Sequence, residues 1–304
     1  MEKIGKVELD DTFYGGTDLY SDGEIEEKLL NIAQSYTEAE LNQIIARENS
    51  WPVMYHFSNI RQNIIEWIPI NKNEKVLEVG SGCGAITGAL ARKAGKVDCI
   101  ELSKKRSMIN AYRNREYENI KIFMGNFQDI EPNLDSDYDY ITLIGVFEYS
   151  QGYINGEKPY IRMLESLKRH LARGGKIVIA IENRLGLKYW AGCTEDHVGR
   201  YFEGLEGYHN SEGVRTFSKK EWEKLIEISG MRGKFYYPYP DYKFPLAIYS
   251  DEYLPRKGEL NLNSYNFDRK RITLFDEGKV FDSLITEDMF PMYSNSFLIL
   301  LERG

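Results

Sequence analysis

Nine residues, Glu78-Val79-Gly80-Ser81-Gly82-Cys83-Gly84-Ala85-Ile86, directly after the apolar run Lys75-Val76-Leu77, constrain this chain more than any others. They read as a buried strand ending in a carboxylate, followed by a glycine-rich turn that opens a helix near Ala85. Glycine lets a backbone turn sharply and approach a ligand where a Cβ would clash. A helix start presents unpaired N–H groups to whatever is bound there. Function is therefore sought around this turn.

The turn sits in an alternation of strands and helices. Strands are predicted at 76–79, 97–102, 120–124, 140–144 and 176–181, and helices at 85–93, 104–115 and 159–171. Further strands at about 234–237 and 296–301 complete seven, with a helix at 218–229 whose Ser218 and Glu221 have capping-box spacing. Short apolar strands separated by such helices imply an α/β fold, a doubly wound, mostly parallel, Rossmann-like sheet covered on both faces.

Ahead of it, residues 1–23 read as a loosely packed polar arm and 24–46 as helical. Trp51-Pro52 is read as a break, and an amphipathic helix over 55–67 places Phe57, Ile60, Ile64 and Trp67 near one face. The domain reading is an acidic arm and helical cap at 1–54 and a core at 55–237 with a substrate-side insertion at 183–216. An inserted subdomain at 238–294 and a final core strand at 295–304 complete it.

At 304 residues the chain is long enough for one core with insertions. No apolar run approaches the roughly 20 residues that span a bilayer, and the start of the chain lacks an apolar signal core, so a cytoplasmic protein without membrane insertion is expected. Cys83, Cys99 and Cys193 form no C-x-x-C pair, which favours reduced buried thiols over disulfides or a metal knuckle. Residues 1–50 hold 12 acidic and 4 basic side chains and the remainder 35 of each, so the whole net charge of −8 lies in front. That balance disfavours nucleic acid as a partner.

Alone, Gly80, Gly82 and Ala85 also fit a G-x-G-x-x-A dinucleotide loop, whereas the lack of a following Gly-Lys-Ser/Thr excludes a nucleoside-triphosphate P-loop. The pattern Glu78-x-Gly80-x-Gly82-x-Gly84 resembles the signature of class I S-adenosylmethionine-dependent methyltransferases. Glu101 at the second strand's end, Gly125-Asn126-Phe127 after the third, Tyr138-Asp139-Tyr140 and Arg173-Gly174-Gly175-Lys176 recur in that family's order. More narrowly, Tyr55-His56-x-Ser58, Ile181-Glu182-Asn183-Arg184, Lys188-Tyr189-Trp190-Ala191-Gly192 and Tyr237-Pro238-Tyr239-Pro240-Asp241-Tyr242 are similar to a bacterial subgroup found with surface-polysaccharide glycosyltransferases.

The resemblance implies S-adenosylmethionine as cofactor and Glu101, with Leu102, at its ribose; an ionised carboxylate accepts both hydroxyl hydrogen bonds. It implies Gly80, Gly82 and Gly84 around the methionine portion, and Glu78 ordering the turn or reaching the amino group through water. Asn126 and Phe127 fall to the adenine, the backbone of Gly145 and Val146 borders the sulfonium, and Tyr55 contacts cofactor or substrate. Arg61 is a candidate for the methionine carboxylate.

For proton removal, His197 within Glu195-Asp196-His197 is the candidate general base and Glu148 its rival, with no metal required. The segment 145–148 lacks the Asn/Asp-Pro-Pro-Tyr/Phe signature of base-amine methyltransferases, so oxygen of a carbohydrate or small molecule leads over nitrogen. A glycosyltransferase partner or fused module is implied by resemblance. Two alternatives stay open: methylation of a protein, peptide or RNA, and a non-catalytic S-adenosylmethionine-binding module.

Overall fold

The computed structural model describes residues 2–18, 23–154, 156–263 and 271–304, which divide into two compact units, 1–143 with 166–177 and 144–165 with 178–304. The strands of the first unit are β1 (Glu2–Ile4), β2 (Val7–Phe13), β3 (Lys75–Val79), β4 (Lys96–Glu101), β5 (Ile120–Gly125), β6 (Tyr138–Ile144) and the first half of β7 (Leu171–Glu182). They lie in the order β1-β2-β5-β4-β3-β6-β7. β3 pairs in parallel with both β4 and β6, and β4 with β5. The chain thus runs outward from β3 to β4 and β5 on one side and returns to β6 on the other. That reversal makes the carboxyl end of β3 the crevice where open α/β sheets bind ligands.

Three differences from the sequence reading lie ahead of β3. The expected arm at 1–23 contains the antiparallel β1–β2 hairpin, with β2 parallel to β5. Its turn needs Gly5, at φ 59°, where a Cβ would come 2.4 Å from the Arg115 carbonyl oxygen. Residues 1 and 19–22 of that expectation lie outside the described residues. The helical stretch 24–46 divides into Glu24–Ser35 and Leu41–Glu48.

In place of a helix over 55–67, the chain forms Trp51–Phe57, a tight turn Asn59–Gln62 and a short helix Asn63–Glu66. Ser58 causes the interruption, because its extended backbone and its hydroxyl, which accepts the Ile60 N–H at 3.3 Å, start a new element. Pro52 lies in the first turn of its helix, where no N–H is missed. Phe57 and Ile64 are buried, but Ile60 and Trp67 face solvent.

The N-terminal helices cover the glycine turn. Leu29, Ile32, Leu41, Ile44, Val53 and Phe57 form one apolar cluster with Cys83 of the turn and Ile109 of the helix Lys104–Arg113. The acidic front pairs with that helix: Glu26 with Arg106 at 2.7 Å, Glu27 with Lys105, and Glu38 with Arg113 at 2.8 Å. Part of the charge imbalance read from the sequence is therefore paired within the protein.

The second unit holds the rest of β7 with β8 (Met231–Tyr239), β9 (Ala247–Ser250) and β10 (Ser296–Arg303), in the order β7-β10-β8-β9. β8 is antiparallel to both neighbours. Tyr237, Phe281, Phe290 and Phe297 pack edge-on or tilted in its core. The helix Lys219–Ile228 begins with both hydrogen bonds of the expected capping box, Ser218 to Glu221 and back.

The expected seven strands are thus present, several of them longer, with β1, β2 and β9 in addition. Residues 264–270 of the segment 238–294 lie outside the described residues. No helix among the described residues is long and apolar enough to cross a membrane.

Candidate active site

In the first unit the turn after β3 is built as its glycines demand, with Gly80, Gly82 and Gly84 at φ 71°, 52° and 77°. The following helix starts at Thr87, two residues later than expected. The turn's amides are also less free than the sequence reading supposes. Those of Gly80 and Ser81 donate to the Ile100 carbonyl, that of Gly84 to the Ser81 carbonyl, and that of Gly82 to Glu101 Oε2 at 2.7 Å. The three glycines differ in what they permit. A Cβ on Gly84 would come 2.5 Å from Asn110 Oδ1, so that glycine is needed for packing. A Cβ on Gly82 would meet nothing within 4 Å, which leaves open space over the turn.

Two buried carboxylates hold the turn. Glu101 ends β4 and is buried; its Oε1 accepts the Ser103 N–H at 2.9 Å. Burial raises its pKa against these amides and the nearby Arg106. Leu102 follows it directly. Glu78 is fully buried, accepts the Thr87 hydroxyl at 2.6 Å and a weak bond from the Cys99 thiol, and is pushed up by burial to about 7. The Thr87 hydroxyl in turn accepts from Asn110, so Glu78 ties the turn to the helix Lys104–Arg113.

Asn126 uses its carbonyl oxygen to cap a short helix at the Gln128 N–H, 3.0 Å away, which leaves the NH2 edge as its outward donor. Phe127 beside it is buried. Tyr55 carries Arg61 over its ring at 4.1 Å, and Arg61 donates to the Tyr55 carbonyl. His56 is buried, and burial with Arg106, Arg61 and Arg113 holds it well below the usual imidazole range.

These residues fit a nucleoside cofactor on grounds independent of motif. The space over Gly82 is a cradle that any side chain there would fill. The Ser81 hydroxyl is buried without a hydrogen-bond partner, and Glu101 retains lone pairs beside it.

The second unit brings together the other candidates. Gly145 and Val146 follow β6 directly; Gly145 has φ 71° and donates to the Ala180 carbonyl at 2.8 Å. A Cβ there would come 2.7 Å from the Tyr242 hydroxyl. Phe147 turns away into an aromatic core with Tyr160, Phe217 and Trp222.

Glu148 and His197, rivals in the sequence, are neighbours here: Nε2 of His197 lies 3.3 Å from Glu148 Oε1 and 3.8 Å from Glu182 Oε2. Its Nδ1 meets Glu195 Oε1 at 2.8 Å, and the Tyr208 hydroxyl donates to the same oxygen at 3.1 Å. Burial opposes a charge on His197, but Glu182, Glu148 and Glu195 outweigh it and hold the imidazole well above its usual range. As a cation it has no lone pair with which to take a proton, which moves that role towards Glu148. Burial raises the Glu148 carboxyl against the pull of His197, and its Oε2 has no hydrogen-bond partner. Around them Lys188 and Lys243 pair with Asp196, Asp241 and Glu182.

Glu182 had no assigned role in the sequence, where it stood out only as a strand-end carboxylate within the Ile181-Glu182-Asn183-Arg184 resemblance. His170 ends the helix Pro159–His170 and pairs with Glu131 at 2.7 Å, while His209 is exposed.

With this geometry in view, the comparisons with known proteins define a class. Residues 77–177 match the family described as methyltransferase domain, and the fold is the Rossmann-like fold of S-adenosylmethionine-dependent methyltransferases. Among relatives, the chain is similar to ribosomal RNA small subunit methyltransferase A of Borreliella afzelii (strain PKo), 36% identical over 98 residues, which are 32% of this chain and 35% of that protein. It is also similar to a protein described as the probable ribosomal RNA small subunit methyltransferase A of Methanococcus aeolicus, 30% identical over 36% of this chain and 50% of that one. The chain spans about a third to a half of the length of these curated relatives. Among solved structures it resembles a chain of the complex between the Haloferax volcanii Trm112 methyltransferase activator and its candidate methyltransferase. That likeness has a TM-score of 0.50 and 17% identity, over 88% of this chain and 97% of the other.

Proposed function

We propose that this protein transfers a methyl group from S-adenosylmethionine to an oxygen, in preference to a nitrogen, of a carbohydrate or other small hydroxylated acceptor in the cytoplasm. Glu101 and Leu102 hold the ribose, Asn126 and Phe127 the adenine, and Gly80, Gly82, Gly84 and Tyr55 the methionine portion, with Glu78 fixing the turn. Gly145 and Val146 line the transfer position. When bound, the sulfonium supplies an activated methyl group.

The protein's remaining task is to orient the acceptor and receive its proton. The observation that carries the oxygen reading is the buried, unpartnered Oε2 of Glu148 beside a charged His197. A hydroxyl needs such a proton acceptor as it attacks. Glu148 would receive that proton as the acceptor oxygen takes the methyl group. A glycosyltransferase, separate or fused, is the partner this reading proposes.

A second reading, RNA as acceptor, is favoured by the relatives' names and by the pairing of the acidic front within the protein, which weakens the charge argument against it. Calorimetric titration with S-adenosylmethionine and S-adenosylhomocysteine tests the donor claim; binding by the wild type and its loss in Glu101→Ala are expected. Tritiated methyl transfer to sugar nucleotides and to ribosomal RNA separates the acceptors. Glu148→Gln should lower kcat at least about a hundredfold, within the range general-base catalysis supplies, with cofactor affinity unchanged. Full turnover in that variant sinks the assignment.

A further inference from the structure

The cluster around His197 is arranged to hold more than a proton. One ligand-capable atom from each of Glu148, Glu182 and His197 falls within 4.8 Å of the others, and all three side chains are buried to nine-tenths or more. Independently of that grouping, the Oε2 atoms of both Glu148 and Glu182 lack any hydrogen-bond partner. Buried polar atoms are nearly always satisfied, so these oxygens call for a positive partner beyond the His197 imidazolium, one that would displace its Nε2 proton and bind the neutral ring.

We propose that Glu148, Glu182 and His197 bind a divalent metal cation, of the manganese or zinc type that accepts mixed nitrogen and oxygen ligands, and that it holds two adjacent oxygens of the acceptor. Atoms bound to one such ion at about 2.1 Å stand roughly 3–3.5 Å apart, close to the 3.3 and 3.8 Å that separate Nε2 from the two carboxylates. The imidazole is oriented as ligating histidines are, its other nitrogen held by a carboxylate. Here that carboxylate is Glu195, itself fixed by the Tyr208 hydroxyl.

The neighbouring ammonium groups do not take the ion's place. Lys243 sits on Oε1 of Glu182 and on Asp196, and Lys188 pairs with Asp196 and Asp241. Three protein ligands leave open positions on the ion, which suit vicinal hydroxyls or a hydroxy acid better than a lone amine. This deepens the proposed oxygen methylation and rests on it. Glu148 ligates through one oxygen and receives the acceptor's proton on the other.

The probe is Mn2+ alone, titrated into the full chain and followed by electron paramagnetic resonance. One ion per chain is expected, with a pulsed-resonance signature of one bound imidazole nitrogen, and at least tenfold weaker binding in Glu182→Gln and His197→Ala. S-adenosylhomocysteine calorimetry on each variant confirms that it is folded. A wild type that binds no Mn2+, or binds it without a nitrogen ligand, overturns the proposal whatever the variants do. So does undiminished binding in both folded variants. If S-adenosylhomocysteine binds and Mn2+ does not, only the cation falls; if the wild type fails to bind S-adenosylhomocysteine, the methyltransferase reading itself falls.

Discussion

Glu78 shows how a residue can be legible as chemistry while its environment is not. As a carboxylate closing a strand before a glycine turn it was visible in the sequence, but its burial was not. Its hydrogen bonds to Thr87 and Cys99 do not offset the loss of water, and its pKa rises to about 7. Between its ordinary value of 4.5 and about 7, the unfolded chain has released a proton that the folded chain retains. Stability therefore falls as pH rises through that window and is level on either side, a loss of roughly 3 kcal/mol at 1.36 kcal/mol per pKa unit. Glu78→Gln should lack this slope, so melting temperatures of the two proteins should converge or cross as pH rises from 4.5 to about 7. Parallel curves would show that Glu78 is ionised in the folded chain.

Among the elements, the pair Glu26 and Arg106 ties the first helix to the helix after β4. Glu26 is fully buried and reaches Arg106 Nε at 2.7 Å. Removing one partner of a buried pair leaves the other charge stranded, so Glu26→Ala should cost about 3 kcal/mol in denaturant unfolding. Glu26→Leu combined with Arg106→Met should recover most of it; no recovery would mean that packing, not charge, carries the contact.

The elements easiest to read were those with strong local patterning. The apolar strands β3 to β7 and the capping-box helix at 219–228 needed little context. The β1–β2 hairpin was obscured because only Val7 and Leu9 of β2 point inward, between acidic residues that suit a solvated edge. The interruption at Ser58 hid behind an apolar spacing that also fits one continuous helix. In the site, Glu148, Glu195 and His197 were visible as chemistry, but Glu182 joins them only through tertiary contact, which no spacing in the chain announces.

For the whole molecule, net charge misleads unless its pairing is known. The −8 of the chain sits in its first 50 residues, yet Glu26, Glu27 and Glu38 spend their charge on Arg106, Lys105 and Arg113. The same front supplies Leu29, Ile32, Leu41 and Ile44 to the apolar cluster over Cys83 and Ile109. A chain trimmed to 51–304 would carry 35 acidic and 35 basic residues. It would also present an uncovered cationic helix beside a greasy surface. In filter binding it should retain unrelated RNA at about 50 mM salt and release it near 200 mM, as counterion release dictates, whereas the full chain should retain it at neither. On this expectation the acidic front would act as a built-in polyanion, occupying the surface that a stray nucleic acid would otherwise claim, and an assay on a shortened protein would mistake its removal for a substrate preference.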